Sequence, residues 1–440
     1  MNCRQSHSRS RAPRAASVLI CALLGIPWGA QAESLSDAWA LALQSNGTLA
    51  AARSDREAAE ADQSAALRQR WPALDLNSTY TQFDHAPNLD IATPTGQLQA
   101  PIWQHNGYAV AGADLSVPIW TSGKISGSIG AAAAGARGAN AVELRSTADL
   151  KLAVAESYVA VFRARRALKV VESNVTSLQA HADDVQVMYD KQAVAQSDML
   201  AAQVALANAT QQRLRAANAL RLATAAYNRW VGQPLDRTPD LDEPSATPLT
   251  VVSEPLDQLI AQAIERRPEL AAVSAQQEGL EQAARSERAQ GQPQVFLHAG
   301  YNHLDNQILD RENFASIGIG LQWRLFDSGQ LQARTSALRS RAHAAEQRLA
   351  DLRSQVRLDV ETAYYNREDA AARIHAASTA VAQAEENVRI AKELYASGLG
   401  TNNQVLDAET LRIVAVTNRD DASFDALIAE YRLQRAIGAL

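Results

Sequence analysis

Ser116-Val117-Pro118-Ile119-Trp120-Thr121-Ser122-Gly123 closes an alternating run of residues and opens a proline-free one, and 206 positions later Gln322-Trp323-Arg324-Leu325-Phe326-Asp327-Ser328-Gly329 does so again. Before the first octapeptide, Ala109, Ala111, Ala113, Leu115, Val117 and Ile119 alternate with Gly112, Asp114 and Ser116. Before the second, Ile317, Ile319, Leu321, Trp323 and Leu325 alternate with Ser316, Gly318, Gly320, Gln322 and Arg324. A period of two is that of a strand with one apolar face. After the octapeptides no proline occurs from Ser122 to Gln192 or from Ser328 to Ser397, and apolar residues recur every seven positions. Val154, Val161, Leu168 and Val175 form such a row in the first run, beside Val171, Leu178 and Val185. Val360, Ile374, Val381, Val388 and Tyr395 form one in the second, with Ala363, Ala370, Ala377, Ala384 and Ala391 alongside. These are coiled-coil seams whose alanines allow close approach. About 70 helical residues at 1.5 Å each make a rod of roughly 105 Å, more than three times the hydrocarbon thickness of a bilayer.

Working outward, the two octapeptides belong to a longer duplication. Leu35, Leu49, Pro72, Leu76 and Tyr80 return 221 places later as Leu256, Leu270, Pro293, Leu297 and Tyr301, after which the offset drops to 206. The first copy therefore holds 15 extra residues, within Asp84 to Asn106, a segment containing Pro87, Pro94, Gly96 and Pro101 that reads as a long loop. The copies meet at Gln233 to Pro255, where five prolines forbid a helix. Each copy reads helix, strand, loop, strand, long helix, return helix, with strands near 74–83, 108–120, 294–304 and 315–326. The return helices, Ser197 to Val231 and Thr401 to Ile437, are about half the length of the long ones. The leading helices, Leu35 to Arg70 and Leu256 to Gln290, supply the missing halves, giving four columns per chain. The strands have the ~10 residues of a tilted membrane strand. Half of the mature aromatics fall in residues 71–120 and 295–326, among them Trp71, Trp103, Trp120, Trp323 and Phe326. That placement suits an interfacial girdle, and equally the core of a small soluble sheet. Four strands cannot close a barrel, so oligomerisation must complete one.

The first 32 residues have the plan of a secretory signal: Arg4, Arg9, Arg11 and Arg14, an apolar run from Val18 to Ile26, then Ala30-Gln31-Ala32. The run is about half the length of a spanning helix, which disfavours an uncleaved anchor. Leu19-Ile20 before Cys21 does not suit a lipoprotein signal. Both cysteines, Cys3 and Cys21, would leave with the signal, so disulfides and thiolate chemistry are excluded from the mature chain. Loss of four arginines from 42 basic residues against 48 acidic ones leaves a formal charge of −10, the wrong sign for a nucleic-acid binder. The expected organisation is a signal peptide over 1–32 and two repeats over 33–237 and 238–440.

With Tyr395-Ala396-Ser397-Gly398 leading into Gln404-Val405-Leu406-Asp407-Ala408, these residues resemble the TolC family of outer-membrane efflux and secretion ducts. The octapeptides are similar to that family's Pro-Leu-Phe-Asp-x-Gly junction, and the helical turn to its Tyr-x-x-Gly followed by Asp-Val-Leu-Asp-Ala. The resemblance implies an α+β membrane protein, mainly α, forming a homotrimer. A twelve-stranded β-barrel would sit in outer-membrane lipid and continue as a long α-helical barrel across the periplasm of a Gram-negative bacterium. The partners it implies are a periplasmic adaptor and an inner-membrane efflux pump or ABC exporter. It also places Asp198 and Asp407 at a periplasmic aperture, with Gln404 where an aspartate is often found. Asp198 beside Ser197 equally suits a plain helix start, where free N–H groups and the dipole stabilise a carboxylate.

Other constellations carry less. His298 and His303 lie near a strand end and His85 and His105 in the loop, without metal-ligand spacing. Gly398-Leu399-Gly400 follows a helix and reverses the chain rather than cradling phosphate. No activated nucleophile set is present, and no cofactor is expected. Two rival readings remain at this stage: a periplasmic adaptor or structural coiled-coil protein, which would carry one hairpin rather than two, and an exported enzyme, which would need a pocket constellation.

Overall fold

The computed structural model describes residues 32–85, 88–103, 106–243, 254–305 and 310–440. The signal segment up to residue 31, and Pro244 and Pro248 of the junction, lie outside the described residues. Two helices dominate, α3 (Lys124–Asp190) and α7 (Gln330–Ala396), each of 67 residues, so each is about 100 Å long. Each turns back into a helix of 35 residues, α4 (Gln196–Trp230) and α8 (Asn402–Ala436).

The leading columns are not continuous. The first breaks into α1 (Leu35–Ser45) and α2 (Gly47–Arg68), the second into α5 (Leu256–Arg266) and α6 (Pro268–Ala289). At the first break Asn46 leaves the helical region, and its Oδ1 accepts from the N–H groups of Thr48 at 3.0 Å and Leu49 at 3.2 Å. That side chain restarts the helix in place of the lost intrahelical bonds. At the second break Pro268 holds Arg267 extended, since the ring crowds a helical conformation in the residue before it. The short helices pack sideways against the rods. Ala38 and Ala42 of α1 join Leu49, Val154, Tyr158 and Tyr227 in one buried cluster, and Leu259 and Ile260 of α5 join Val356, Val360 and Leu433 in another.

Glu33 anchors the start of the described chain. Its N–H donates to the Asp240 carbonyl at 2.7 Å, its own carbonyl accepts from Asp242 N–H at 3.1 Å, and its carboxylate takes bonds from Tyr227 and from Arg237 at 3.0 Å.

Strands β1 (Ala73–Gln82), β4 (Gly107–Trp120), β5 (Gln294–Leu304) and β6 (Asn313–Gln322) form one antiparallel sheet in the order β1-β4-β5-β6. The register aligns Leu74 with Leu115, Leu115 with Ala299 and Ala299 with Ile317, so the expected alternation makes one continuous apolar face. That face is bare: Leu76 is 81% exposed and Ile317 78%. The other face is polar, with Asn77 Nδ2 donating to Asp114 Oδ2 at 3.1 Å.

Two sequence expectations need correction. The segment Asp84 to Asn106 is not a plain loop, because β2 (Asn88–Thr93) and β3 (Gly96–Pro101) pair as a hairpin within it. Alternating Leu89, Ile91 and Leu98 carry the strand pattern between the turn formers. The last sheet strand stops at Gln322 rather than near 326, because Gln322 faces Gln294, the first residue of β5, and among the described residues no strand pairs with the chain beyond.

The strand-to-helix junctions share a geometry. Ser122 and Ser328 have φ of 52° and 55°, followed by Gly123 and Gly329 at 95° and 81°. Two successive left-handed residues swing the chain out of the sheet, and glycine carries the more strained of the two. In the second junction Asp327 fixes the turn, accepting from Gly329 N–H at 3.1 Å and Leu331 N–H at 2.8 Å.

Candidate functional site

The end of the rods remote from the sheet is where α3 turns into α4 and α7 into α8, and it holds all three residues singled out in the sequence. The two turns are built differently. At the second, Thr401 and Gln404 form a capping box: Gln404 N–H donates to Thr401 Oγ1 at 3.4 Å and Thr401 N–H to Gln404 Oε1 at 2.9 Å. Glutamine here closes the helix start, a pattern legible as Thr-x-x-Gln. At the first, α4 is capped by Ala195, which offers no side-chain acceptor. Asp198 is the third helical residue, and its carboxylate has no hydrogen-bond or ion-pair partner among the described residues. It gains from the dipole of α4 but does not cap it. Asp407 stands further along α8 on an exposed face between buried Val405 and Ala408.

What the structure adds is a clasp across all four helices. His181 of α3 bonds through Nε2 to Asn402 Oδ1 at 2.7 Å, and Asn402 Nδ2 donates to the Asp198 carbonyl at 3.0 Å. The second bond orients the Asn402 amide, so its oxygen faces His181 and the imidazole must donate there. Tyr395 of α7 stands edge-on to His181, centroids 5.4 Å apart, with its hydroxyl buried and unpartnered among the described residues. Burial pushes the Tyr395 phenol up, and the negative charges of Asp198 and Asp184 push it further. Ser177, His181, Asp184, Met188, Lys392 and Tyr395 line a groove of about 430 Å³ beside the clasp.

Two turns along α8 sits Glu409, 2% exposed. It accepts from Lys392 Nζ at 2.7 Å, from Arg412 Nη2 at 2.9 Å and from Ser177. Burial alone would raise its carboxyl, but the bonds from Lys392 and Ser177 and the charge of Arg412 hold it below the usual range. Neither His181 nor Glu409 stood out in the sequence, since each lies in an unremarkable helical stretch.

The rods are also tied higher up. Asp149, Glu156 and Arg163, spaced by seven on α3, meet Arg435 at 2.6 Å, Arg432 at 2.8 Å and Asp425 at 2.5 Å on α8.

The histidines do not assemble. His303 Nδ1 lies 3.0 Å from Asn313 Oδ1, His85 pairs with Asp84 at 2.9 Å, and His105 lies outside the described residues. Among the described residues no group of three potential ligands is suited to a metal, and no helix is long and apolar enough to cross a membrane.

An open apolar-faced sheet carried on paired rods, with a polar tip, is the plan against which known proteins can be compared. Residues 259–439 match the outer membrane efflux protein family. The chain is also 26% identical over 302 residues to the alkaline protease secretion protein AprF of Pseudomonas aeruginosa, covering 66% of this chain and 62% of that protein. Among solved structures, the outer membrane protein VceC from Vibrio cholerae superposes with a TM-score of 0.77 at 19% identity, covering 92% of this chain and 96% of that one. The Campylobacter jejuni CmeC outer membrane channel gives 0.79 at 14% identity, covering 92% and 85%. At these identities the likeness is one of fold: the chain has the architecture of these two outer-membrane proteins.

Proposed function

We propose that the chain is the outer-membrane duct of a tripartite efflux or type I secretion system. Three copies would close a twelve-stranded barrel in outer-membrane lipid and continue it as a tunnel of helices across the periplasm. A periplasmic adaptor and an inner-membrane efflux pump or ABC exporter would deliver the cargo. The cargo crosses without reaction, and the energy comes from the partner.

The observation that carries this reading is the sheet. It ends on two open edges, β1 and β6, and its apolar face is exposed. An open edge has no place in lipid, where every backbone group must find a partner, so four strands are a fraction of a barrel. Rods of about 100 Å leading directly from that sheet suit a span across the periplasm. The family match over 259–439 falls within the second of the two proposed repeats, 33–237 and 238–440, and the secretion role in the name of AprF and the channel role in that of CmeC agree in kind. A periplasmic adaptor is disfavoured by the two helical hairpins and the membrane-length strands.

At the tip, Asp198 and Asp407 would form rings that narrow the aperture and favour cations, low-dielectric walls focusing their field. Gln404, engaged in its capping box, adds no charge there. Detergent-corrected light scattering tests the assembly, with a trimer expected. A stable monomer or dimer, or absence from the outer-membrane fraction, overturns the proposal.

A further inference from the structure

Helix α6 leads into β5 and β6 leads into α7, so these two helices pack together just where the sheet ends. Beside their contact is a cavity of about 530 Å³, lined by Arg288 and Gln292 from α6 and the turn after it, and by Thr335, Ser336 and Arg339 from the first turns of α7. That size is ordinary for a small-molecule site. The cavity belongs to the apolar side of the sheet. Trp323, in phase with Ile317, Ile319 and Leu321 of that face, donates its Nε1 to the carbonyl of Gly291 at 3.2 Å, and Gly291 also lines the cavity. The bare apolar band thus ends at exposed Trp323 and Phe326, with the cavity next to it at the head of the rods.

Its chemistry is that of an anion site. Arg288 and Arg339 are exposed and have no ion-pair partner among the described residues. Thr335 is 6% exposed, and its hydroxyl has no hydrogen-bond partner among the described residues. A helical threonine can return its hydroxyl to the carbonyl four residues back, as Thr210, Thr224 and Thr410 do. The Thr335 hydroxyl does not, and an acceptor oxygen seated in the cavity would satisfy it. The two arginines are not demanded by the junction itself. The offsets of 221 and 206 carry Arg288 and Arg339 back onto Leu67 of α2 and Ala133 of α3, helices that meet where β1 and β4 end. The cleft there is smaller, about 320 Å³, with Arg70 as its single lining cation among the described residues.

We propose that this cavity seats the phosphate headgroup of an anionic glycerophospholipid, held by Arg288, Arg339 and Thr335, with the acyl chains lying along the apolar face of the sheet beyond Trp323. Guanidinium groups suit a phosphate because their planar N–H donors match its oxygens in pairs. A free anion would use the arginines but leave the adjoining apolar band bare, whereas a lipid covers both. Basic pockets at the level of the headgroups are the expected form of such recognition. The inference rests on the outer-membrane reading above and adds to it one specific lipid site per chain, on the periplasmic side of the barrel.

Native mass spectrometry of the detergent-purified oligomer, titrated with dioleoylphosphatidylglycerol, tests it. One tightly held lipid per chain is expected, and roughly thirtyfold weaker binding in Arg288→Gln/Arg339→Gln, which removes two cations from the headgroup. Arg213→Gln/Arg215→Gln takes the same charge from exposed positions on α4, away from the sheet, and is expected to bind as the parent does. Equal losses in the two double variants would show unspecific attraction and overturn the site. Dioleoylglycerol, which has the chains without the phosphate, is expected not to compete, and equal competition by it overturns the headgroup assignment. Displacement of the lipid by an equal concentration of inorganic phosphate would make the cavity a free-anion site and overturn the lipid. Recovery of the chain outside the outer-membrane fraction overturns the duct reading and the site with it. An outer-membrane oligomer whose lipid binding is indifferent to Arg288 and Arg339 overturns the site alone.

Discussion

His181 on α3 and Asn402 on α8 meet at 2.7 Å, 221 residues apart in the chain, and the Asn402 amide continues to the Asp198 carbonyl on α4. A single buried side chain thus fastens one helical hairpin to the other at the tip. Any movement that separates α3 and α4 from α7 and α8 there must break both bonds, and an unmade buried hydrogen bond costs roughly 1–3 kcal/mol.

Asn402→Ala removes both links. It is expected to lower the stability of the assembled protein by roughly 1–3 kcal/mol, the range for leaving a buried polar partner unsatisfied. In planar bilayers it should also raise conductance by loosening the tip. A variant with unchanged melting and unchanged conductance would show that the clasp restrains nothing.

Glu409 predicts a pH dependence of definite sign. Its carboxyl is held below the usual range in the folded protein, so the stability it supplies is complete above the unfolded value of about 4.3 and is lost as pH falls through the folded one. Glu409→Gln should lower stability at neutral pH by roughly 1–3 kcal/mol and flatten the acid limb of the curve. Denaturant midpoints measured from pH 7 down to pH 3 for both proteins check the sign. Parallel curves would rule out this contribution.

Asp198 and Asp407 can be separated from ordinary helix electrostatics. The Asp198 carboxylate caps nothing, so Asp198→Ala should cost at most the ~0.3–1 kcal/mol of a dipole interaction. Replacing both aspartates by alanine should weaken block by multivalent cations and reduce cation preference. Gln404→Ala, in contrast, should lower stability by about 1 kcal/mol through its capping box while leaving selectivity alone. A folded double variant with the selectivity of the parent argues against the aperture role.

The β2–β3 hairpin should tolerate insertion. Its strands are joined by a short turn between Thr93 and Gly96 at the end of the sheet away from the helices, with Thr95 exposed. An epitope placed after Thr95 is expected to leave assembly intact and to be labelled on whole cells. Labelling that requires permeabilised outer membranes would reverse the orientation.

Much of the fold was legible because its elements are long and regular. A proline-free run with apolar residues every seven positions can be little else than a long helix, and the structure gives 67 residues where about 70 were expected. The sheet face was legible because period two fixes which residues share a side. The hairpin in the first repeat was missed because turn formers dominate that segment. Both breaks in the leading helices were missed: a lone asparagine at Asn46 is a weak signal in a helical pattern, and Pro268, a stronger one, was read through as part of a single helix from Leu256 to Gln290. At the tip, Asp198, Gln404 and Asp407 could be placed on their helices, but His181 and Glu409 carried no local mark.

The sequence by itself determined the long and return helices, the four strands of the main sheet with their apolar face, and the repetition of both, since each follows from periodicities that need only neighbours two, four or seven residues apart. Only the tertiary structure decided which helix lies beside which, that both sheet edges stay open, and that His181, Asn402 and Asp198 form one chain of hydrogen bonds. The reason is distance along the chain. A polar side chain on a long helix reads the same whether it faces water or a partner two hundred residues away, and only the packing of the rods brings the two within 3 Å.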